Sequence, residues 1–160
     1  MADDPSSDNA GVRIIPPAVY LGGLAIGYLL DLIWHVPIAP PGWSLVVRLV
    51  GGAATVLGLW LMLSAATLFR RLGTAVPPWE PTSTLATEGP YRFTRNPMYL
   101  GMALIVGGLG LIGNAVWPLL ALVPVIVIIR TQVIAREERY LEAKFGYEYR
   151  ILETRVRRWL

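Results

Sequence analysis

Apolar positions in this chain fall in long unbroken blocks, and blocks of that length predict helices that cross a bilayer. The first, Ile14–Val36, is interrupted only by Asp31 near its end. At about 1.5 Å per residue its 23 residues reach roughly 35 Å, enough for a hydrocarbon core about 30 Å thick. Pro16 and Pro17 stand at its start, where a helix has no use for the missing N–H. Pro37–Trp43 is rich in proline and reads as a loop. The second block is Leu45–Leu68, whose one charge, Arg48, is placed to snorkel to the interface. Ala54 and Gly58, four apart, put small residues on one face, a spacing that lets membrane helices approach closely. Tyr99–Ile112 and Ala115–Ile129 are shorter, about 14–15 residues each, and Gly113-Asn114 between them predicts a tight hairpin. Asn114 is expected to cap the fourth helix, with Pro118 in its first turn and Pro124 as a kink. That helix is expected to continue through Arg130 to Leu141. The pattern predicts an all-α integral membrane bundle of about four transmembrane helices, the last two a short hairpin, followed by a C-terminal amphipathic interfacial helix.

The joints between the blocks carry the polar chemistry. Arg70–Pro97 contains Pro77, Pro78, Pro81, Pro90 and Pro97, and so long an irregular connection is usually functional. Residues 1–13 carry Asp3, Asp4 and Asp8 and lack the positive start of a signal peptide, so a disordered acidic tail is expected, with the first block retained as an anchor. The expected division is this tail, two transmembrane helices over 14–69, and a functional core over 70–160. Glu137–Leu160 alternates basic with apolar residues, which suits a helix at an anionic membrane surface or one packing its apolar side on the protein. Charged residues make up 16% of the chain, against about 25% in soluble domains. Cysteine is absent and His35 is the single histidine, which excludes disulfides, thiolate chemistry and a multi-histidine metal site. His35, near Asp31 and Trp34, reads as a helix-end or interfacial group. Arg70–Arg95 holds four basic residues and Arg130–Arg158 holds eight, while the opposite side has only Arg48. That asymmetry predicts cytoplasmic N- and C-termini, and a cell membrane of bacterial type is the expected location.

Two segments on the basic side stand out. In the first, Gly89-Pro90 is a turn signal and Asn96-Pro97 a helix start, with Asn96 as cap and Pro97 as first helical residue. Such a start presents unpaired N–H groups that suit a carboxylate or phosphate, with Arg92 and Arg95 beside it. Tyr91 and Tyr99 offer flat surfaces for an aromatic ring or a cation. An ordinary capped helix with interfacial arginines and aromatics fits the same residues. In the second segment, Arg130, Ile134, Glu137, Glu138 and Leu141 share a helix face by spacing. The glutamates suit an amino group or hydroxyls, or salt bridges to Arg136 or Arg139. Arg130 ends an apolar run and needs a partner, a wet cavity or a lipid headgroup.

The string Gly89-Pro90-Tyr91, then Arg95-Asn96-Pro97-Met98-Tyr99-Leu100-Gly101, then Glu137-Glu138, then Phe145-Gly146-Tyr147-Glu148-Tyr149 resembles the signature of the isoprenylcysteine carboxyl methyltransferase and phospholipid N-methyltransferase superfamily. Asn96 stands where many members carry histidine. The resemblance implies S-adenosylmethionine as cofactor, held by Tyr91, Arg95, Asn96, Pro97, Tyr99, Leu100, Gly101, Glu137 and Glu138. It implies methyl transfer to a lipophilic acceptor entering from the bilayer, foremost an isoprenylcysteine-type carboxylate oriented by Arg130, alternatively a phospholipid amine with Glu137 as base. Membrane lipids are the expected surroundings and no nucleic-acid partner is implied. A reductase-like relative using NADPH and a non-enzymatic membrane protein with a degenerate fold are the rival classes.

Overall fold

The computed structural model describes residues 8–159. Four helical rods run back and forth across the bundle: α1 (Pro16–Ile33), α2 (Pro41–Arg71), α3 (Pro97–Ile112), and a composite rod of α4 (Val116–Ile128), a π-helical segment (Ile129–Ile134) and α5 (Ala135–Phe145). A short α6 (Tyr147–Arg155) closes the chain. α1, α2 and the rod Val116–Phe145 are long and apolar enough to cross a membrane, and α3 is a shorter apolar helix of 16 residues. Their outward faces are apolar and exposed, as at Leu32, Leu49, Val56 and Val127. With no polar face to solvate, such helices need lipid around them. The protein is an integral membrane helical bundle.

Glycine sets the α2–α3 contact. A Cβ on Gly58 would lie 2.5 Å from the Gly101 carbonyl oxygen, and one on Gly51 would lie 2.5 Å from that of Gly108. Gly51 and Gly58 are two turns apart, so the close-approach pair is this one and not Ala54 with Gly58. α1 packs on α4 in the same way, since a Cβ on Gly27 would lie 2.5 Å from Pro118 Cα. Two phenols of α1 then lock it to α3: Tyr20 donates to the Tyr99 carbonyl at 2.9 Å and Tyr28 to the Leu109 carbonyl at 2.7 Å. The core lies between α1, α3 and the composite rod, with Ile129, Val133 and Ile134 fully buried.

The hairpin between α3 and α4 turns at Gly113–Ala115, but Asn114 does not cap α4. Ala115 holds the cap position, and Asn114 takes a positive φ of 52° that frees its side chain. Its amide pairs in both directions with the backbone of Ala39, at 2.9 Å each way, tying the α1–α2 loop to the hairpin. His35 sits at this same end, bonded to Asp31 at 2.9 Å.

At the other end the basic segments collect. Residues 1–7 of the expected acidic tail lie outside the described residues, but 8–13 do not hang free. Val12 is 5% exposed, Lys144 pairs with Asp8 at 2.7 Å, and Arg136 donates to the Gly11 carbonyl at 3.0 Å. The C-terminal segment is also not one helix. Gly146, at φ 51°, breaks it, and α6 buries Tyr149 and Leu152 against the protein.

Candidate functional site

The corner before α3 is built by the end of the chain. Thr94 is buried, and its hydroxyl donates to the Arg158 carbonyl at 3.1 Å. Asn96 Nδ2 donates to the same carbonyl at 2.9 Å, and the Arg95 N–H donates to the Arg157 carbonyl at 3.0 Å. Asn96 therefore occupies the cap position of α3 without making a side-chain cap bond. Its amide anchors Arg158 instead of capping the helix, contrary to the capping role its place in the sequence predicts. Pro97 fits the first helical position because its ring sets φ and no N–H is wanted there.

α5 starts where the π segment ends and delivers two carboxylates to that corner. Tyr99 donates to Glu137 Oε1 at 2.6 Å. Glu138 receives a two-pronged hydrogen bond from Arg158, Nε to Oε1 at 2.9 Å and Nη2 to Oε2 at 2.5 Å. Arg95 adds a longer pair to Glu138 at 3.5 Å, donates to the Tyr149 hydroxyl at 3.2 Å, and pairs with Glu153. Its guanidinium also lies 5.9 Å from the centre of the Tyr149 ring. Desolvation opposes the charge on Arg95, but the Glu153 hydrogen bond and the nearby Tyr149 and Glu138 outweigh it, so its pKa rises. The Glu138 hydrogen bond likewise raises that of Arg158. Burial pushes the Tyr91 phenol up, with the Glu137 charge adding to it, and burial followed by Glu138 does the same to Tyr149. Both phenols stay protonated and serve as walls of the site, and the Tyr149 hydroxyl accepts from Arg95.

Around these groups lies an open cavity with an inner volume of about 100 Å³. Phe69 of α2, Tyr91, Met98, Tyr99, Leu141 and Leu152 give it an apolar and aromatic wall. Phe69 and Tyr91 stack with ring centres 5.3 Å apart. The proline-rich loop covers one side with Ala75, Val76, Pro77, Pro78, Thr82, Thr84, Leu85 and Ala86, and Ala10 of the N-terminal segment reaches the rim. The Tyr140 hydroxyl joins these covers, accepting from the Thr82 N–H at 3.1 Å and donating to Asp8 at 2.9 Å.

Tyr91, Arg95, Asn96, Tyr99, Glu137 and Glu138 thus line one cavity, although they come from segments about forty residues apart. Pro97, Leu100, Gly101 and Arg130 do not line it. Gly101 is taken by helix packing, since a Cβ there would lie 2.6 Å from the Gly58 carbonyl oxygen. Arg130 is exposed within the π segment. A π turn takes more residues than an α turn, so the three-and-four spacing that put Arg130 on the Glu137 face no longer holds across it. Arg95, beside the helix start as its place in the sequence implies, pairs with Glu138 and Glu153 and donates to Tyr149. Arg158, Glu153 and Phe69 join the site without a distinctive signal in the sequence. Arg158 and Glu153 look in the sequence like any charges of an amphipathic tail, and Phe69 like the last aromatic of an apolar block.

Among proteins of known sequence, an uncharacterized protein of Haemophilus influenzae is 48% identical over 64 residues, which is 39% of this chain and the whole of that relative. No solved structure matches the chain. The model of the family described as phospholipid methyltransferase matches residues 46–148. That span takes in the Gly89–Gly101 segment and Glu137-Glu138, while α1, the first turn of α2 and the chain from Tyr149 onward lie outside it. On that match the chain belongs to the phospholipid methyltransferase family of membrane methyltransferases.

Proposed function

We propose that this protein transfers a methyl group from S-adenosylmethionine to the amine of a membrane phospholipid. The observation that carries the reading is Glu137, a carboxylate in an aromatic cavity whose hydrogen-bond partner is the neutral Tyr99 hydroxyl rather than a cation. A half-buried carboxylate without a cationic partner favours a cationic ligand. The methyl donor is such a ligand, and Phe69, Tyr91, Tyr99 and Tyr149 supply ring faces for its cationic and aromatic parts. Bound there, S-adenosylmethionine would supply an activated sulfonium methyl group for transfer to a neutral amine, with S-adenosylhomocysteine as the leaving group.

The chain's own work is alignment, deprotonation and exclusion of water. Glu137 is the base that takes the proton of the acceptor's ammonium, and Tyr99 holds its carboxylate in place. Glu138 and Glu153 with Arg95 and Arg158 form a neutralised frame that fixes the corner in which these groups meet. Residues of the 75–86 loop and Ala10 line the cavity and help to exclude water from it. An isoprenylcysteine-type carboxylate acceptor would need an orienting cation, and Arg130 lies outside the cavity while Arg95 is committed to acidic partners. These observations favour the amine.

The test uses purified protein with methyl-labelled S-adenosylmethionine and either phosphatidylethanolamine vesicles or N-acetyl-farnesylcysteine. Label that enters the phospholipid and resists alkaline hydrolysis is an N-methyl product. Base-labile label on the farnesylcysteine would be a methyl ester and would replace the amine reading with the carboxylate one.

A further inference from the structure

A second groove lies on the outer face of α2, lined by Trp60, Leu63, Leu68 and Arg71 together with Glu88 and Pro90. Three features tie it to the cavity. It opens to the membrane, since Trp60 and Leu63 are among the exposed apolar residues of a spanning helix. It shares a wall with the cavity: Leu68 and Pro90 face the groove while their neighbours Phe69 and Tyr91, stacked on each other, face the methyl-transfer site. Its depth also fits one leaflet. Trp60 and Arg71 are eleven residues apart on one helix, about 16 Å along the axis, against about 15 Å for half a hydrocarbon core. Arg71 and Glu88 stand at the rim, one of each sign, and neither has an ion-pair partner among the described residues.

We propose that this groove binds the acceptor phospholipid. One acyl chain lies along Trp60, Leu63 and Leu68, the phosphate meets Arg71, and the amine rests at Glu88 before it passes the Phe69–Tyr91 wall. A zwitterionic amine lipid is the occupant that matches an apolar channel of one-leaflet depth ending in a cation and an anion. The inference rests on the methyl-transfer reading and adds where the acceptor sits.

The absence of native cysteine makes a clean test possible. Leu63→Cys and Thr67→Cys place a thiol in the groove, and Leu49→Cys places one on exposed α2 surface at the depth of the other leaflet. Each variant is labelled with a bulky lipophilic maleimide and assayed for methyl transfer to phosphatidylethanolamine vesicles, with S-adenosylhomocysteine binding measured by calorimetry on the same samples. Labelling at 63 and 67 is expected to bring transfer to background while S-adenosylhomocysteine affinity stays unchanged, and labelling at 49 to leave both unchanged. Arg71→Glu is expected to raise the KM for the lipid about fivefold or more without moving that for S-adenosylmethionine, the loss of one cation's attraction for a lipid phosphate. Equal rates after labelling at 63, 67 and 49, with S-adenosylhomocysteine still bound, would overturn the groove assignment alone. No binding of S-adenosylhomocysteine to the unlabelled protein would overturn the methyl-donor reading, and this proposal with it.

Discussion

Glu137 and Glu138 are neighbours in sequence that meet different partners in the fold. Glu138 is held by Arg158 and Arg95, whereas Glu137 meets the Tyr99 hydroxyl. Glu137→Gln keeps the size and the hydrogen bond but removes the base. Transfer to an amine is expected to fall about 10²- to 10⁴-fold in kcat, with S-adenosylhomocysteine affinity changed far less. Single-turnover rates beside calorimetric binding check this, and a Gln variant with normal turnover would remove Glu137 from the chemistry. Arg130→Ala is expected to leave activity within about twofold, because the side chain is exposed outside the cavity and exposed substitutions rarely exceed 0.5 kcal/mol. The sequence exposed the carboxylates and tyrosines of this site because their spacing is local and their motif ordered. It hid Arg158, whose place depends on the chain end folding back on Thr94 and Asn96 through its backbone carbonyl, a contact that no side-chain pattern encodes.

At the scale of elements, hydrophobic blocks marked the rods well because a bilayer demands long apolar helices whatever their packing. Packing itself was less legible. Small residues announce that helices approach closely, yet many glycines compete for that role, and only the fold selects Gly51 and Gly58 against Gly101 and Gly108. Gly108→Ala tests the selection. A Cβ there would lie 2.6 Å from the Gly51 carbonyl oxygen and would also meet the Thr55 hydroxyl, so α2 and α3 must separate. A loss of about 1–3 kcal/mol is expected, seen as a lower Tm in detergent, whereas Gly52→Ala, with open space around its Cβ, is expected to be neutral. Since Phe69 and Met98–Tyr99 sit on these same two helices, the separation should also weaken S-adenosylhomocysteine binding. The π segment is the other illegible element. It adds no unusual composition, but it decides that Glu137 faces the cavity while Arg130 faces outward.

At the scale of the whole molecule, the even number of rods brings every candidate chemical group to one end. The N-terminal segment, the proline-rich loop and α5–α6 meet there through Asp8, Tyr140 and Lys144, while the other end is closed by Asn114 with Ala39 and by Trp117 donating to the Trp34 carbonyl at 2.6 Å. We propose that the site end faces the cytoplasm, because it carries twelve of the fourteen basic residues in its two polar segments and cytoplasmic segments hold such an excess. The cysteine-free chain allows this to be read from single thiols. Glu80→Cys and Glu148→Cys stand at the site end and are exposed, while His35→Cys stands at the opposite end and is exposed as well. In intact cells a membrane-impermeant maleimide is expected to label position 35 and to reach positions 80 and 148 only after permeabilisation. The reverse pattern would put the cavity outside the cell, away from the cytosolic pool of S-adenosylmethionine that the proposed reaction consumes. Positions 80 and 148 should behave alike in either case, because the loop and α5–α6 share one end of the bundle through Thr82 and Tyr140.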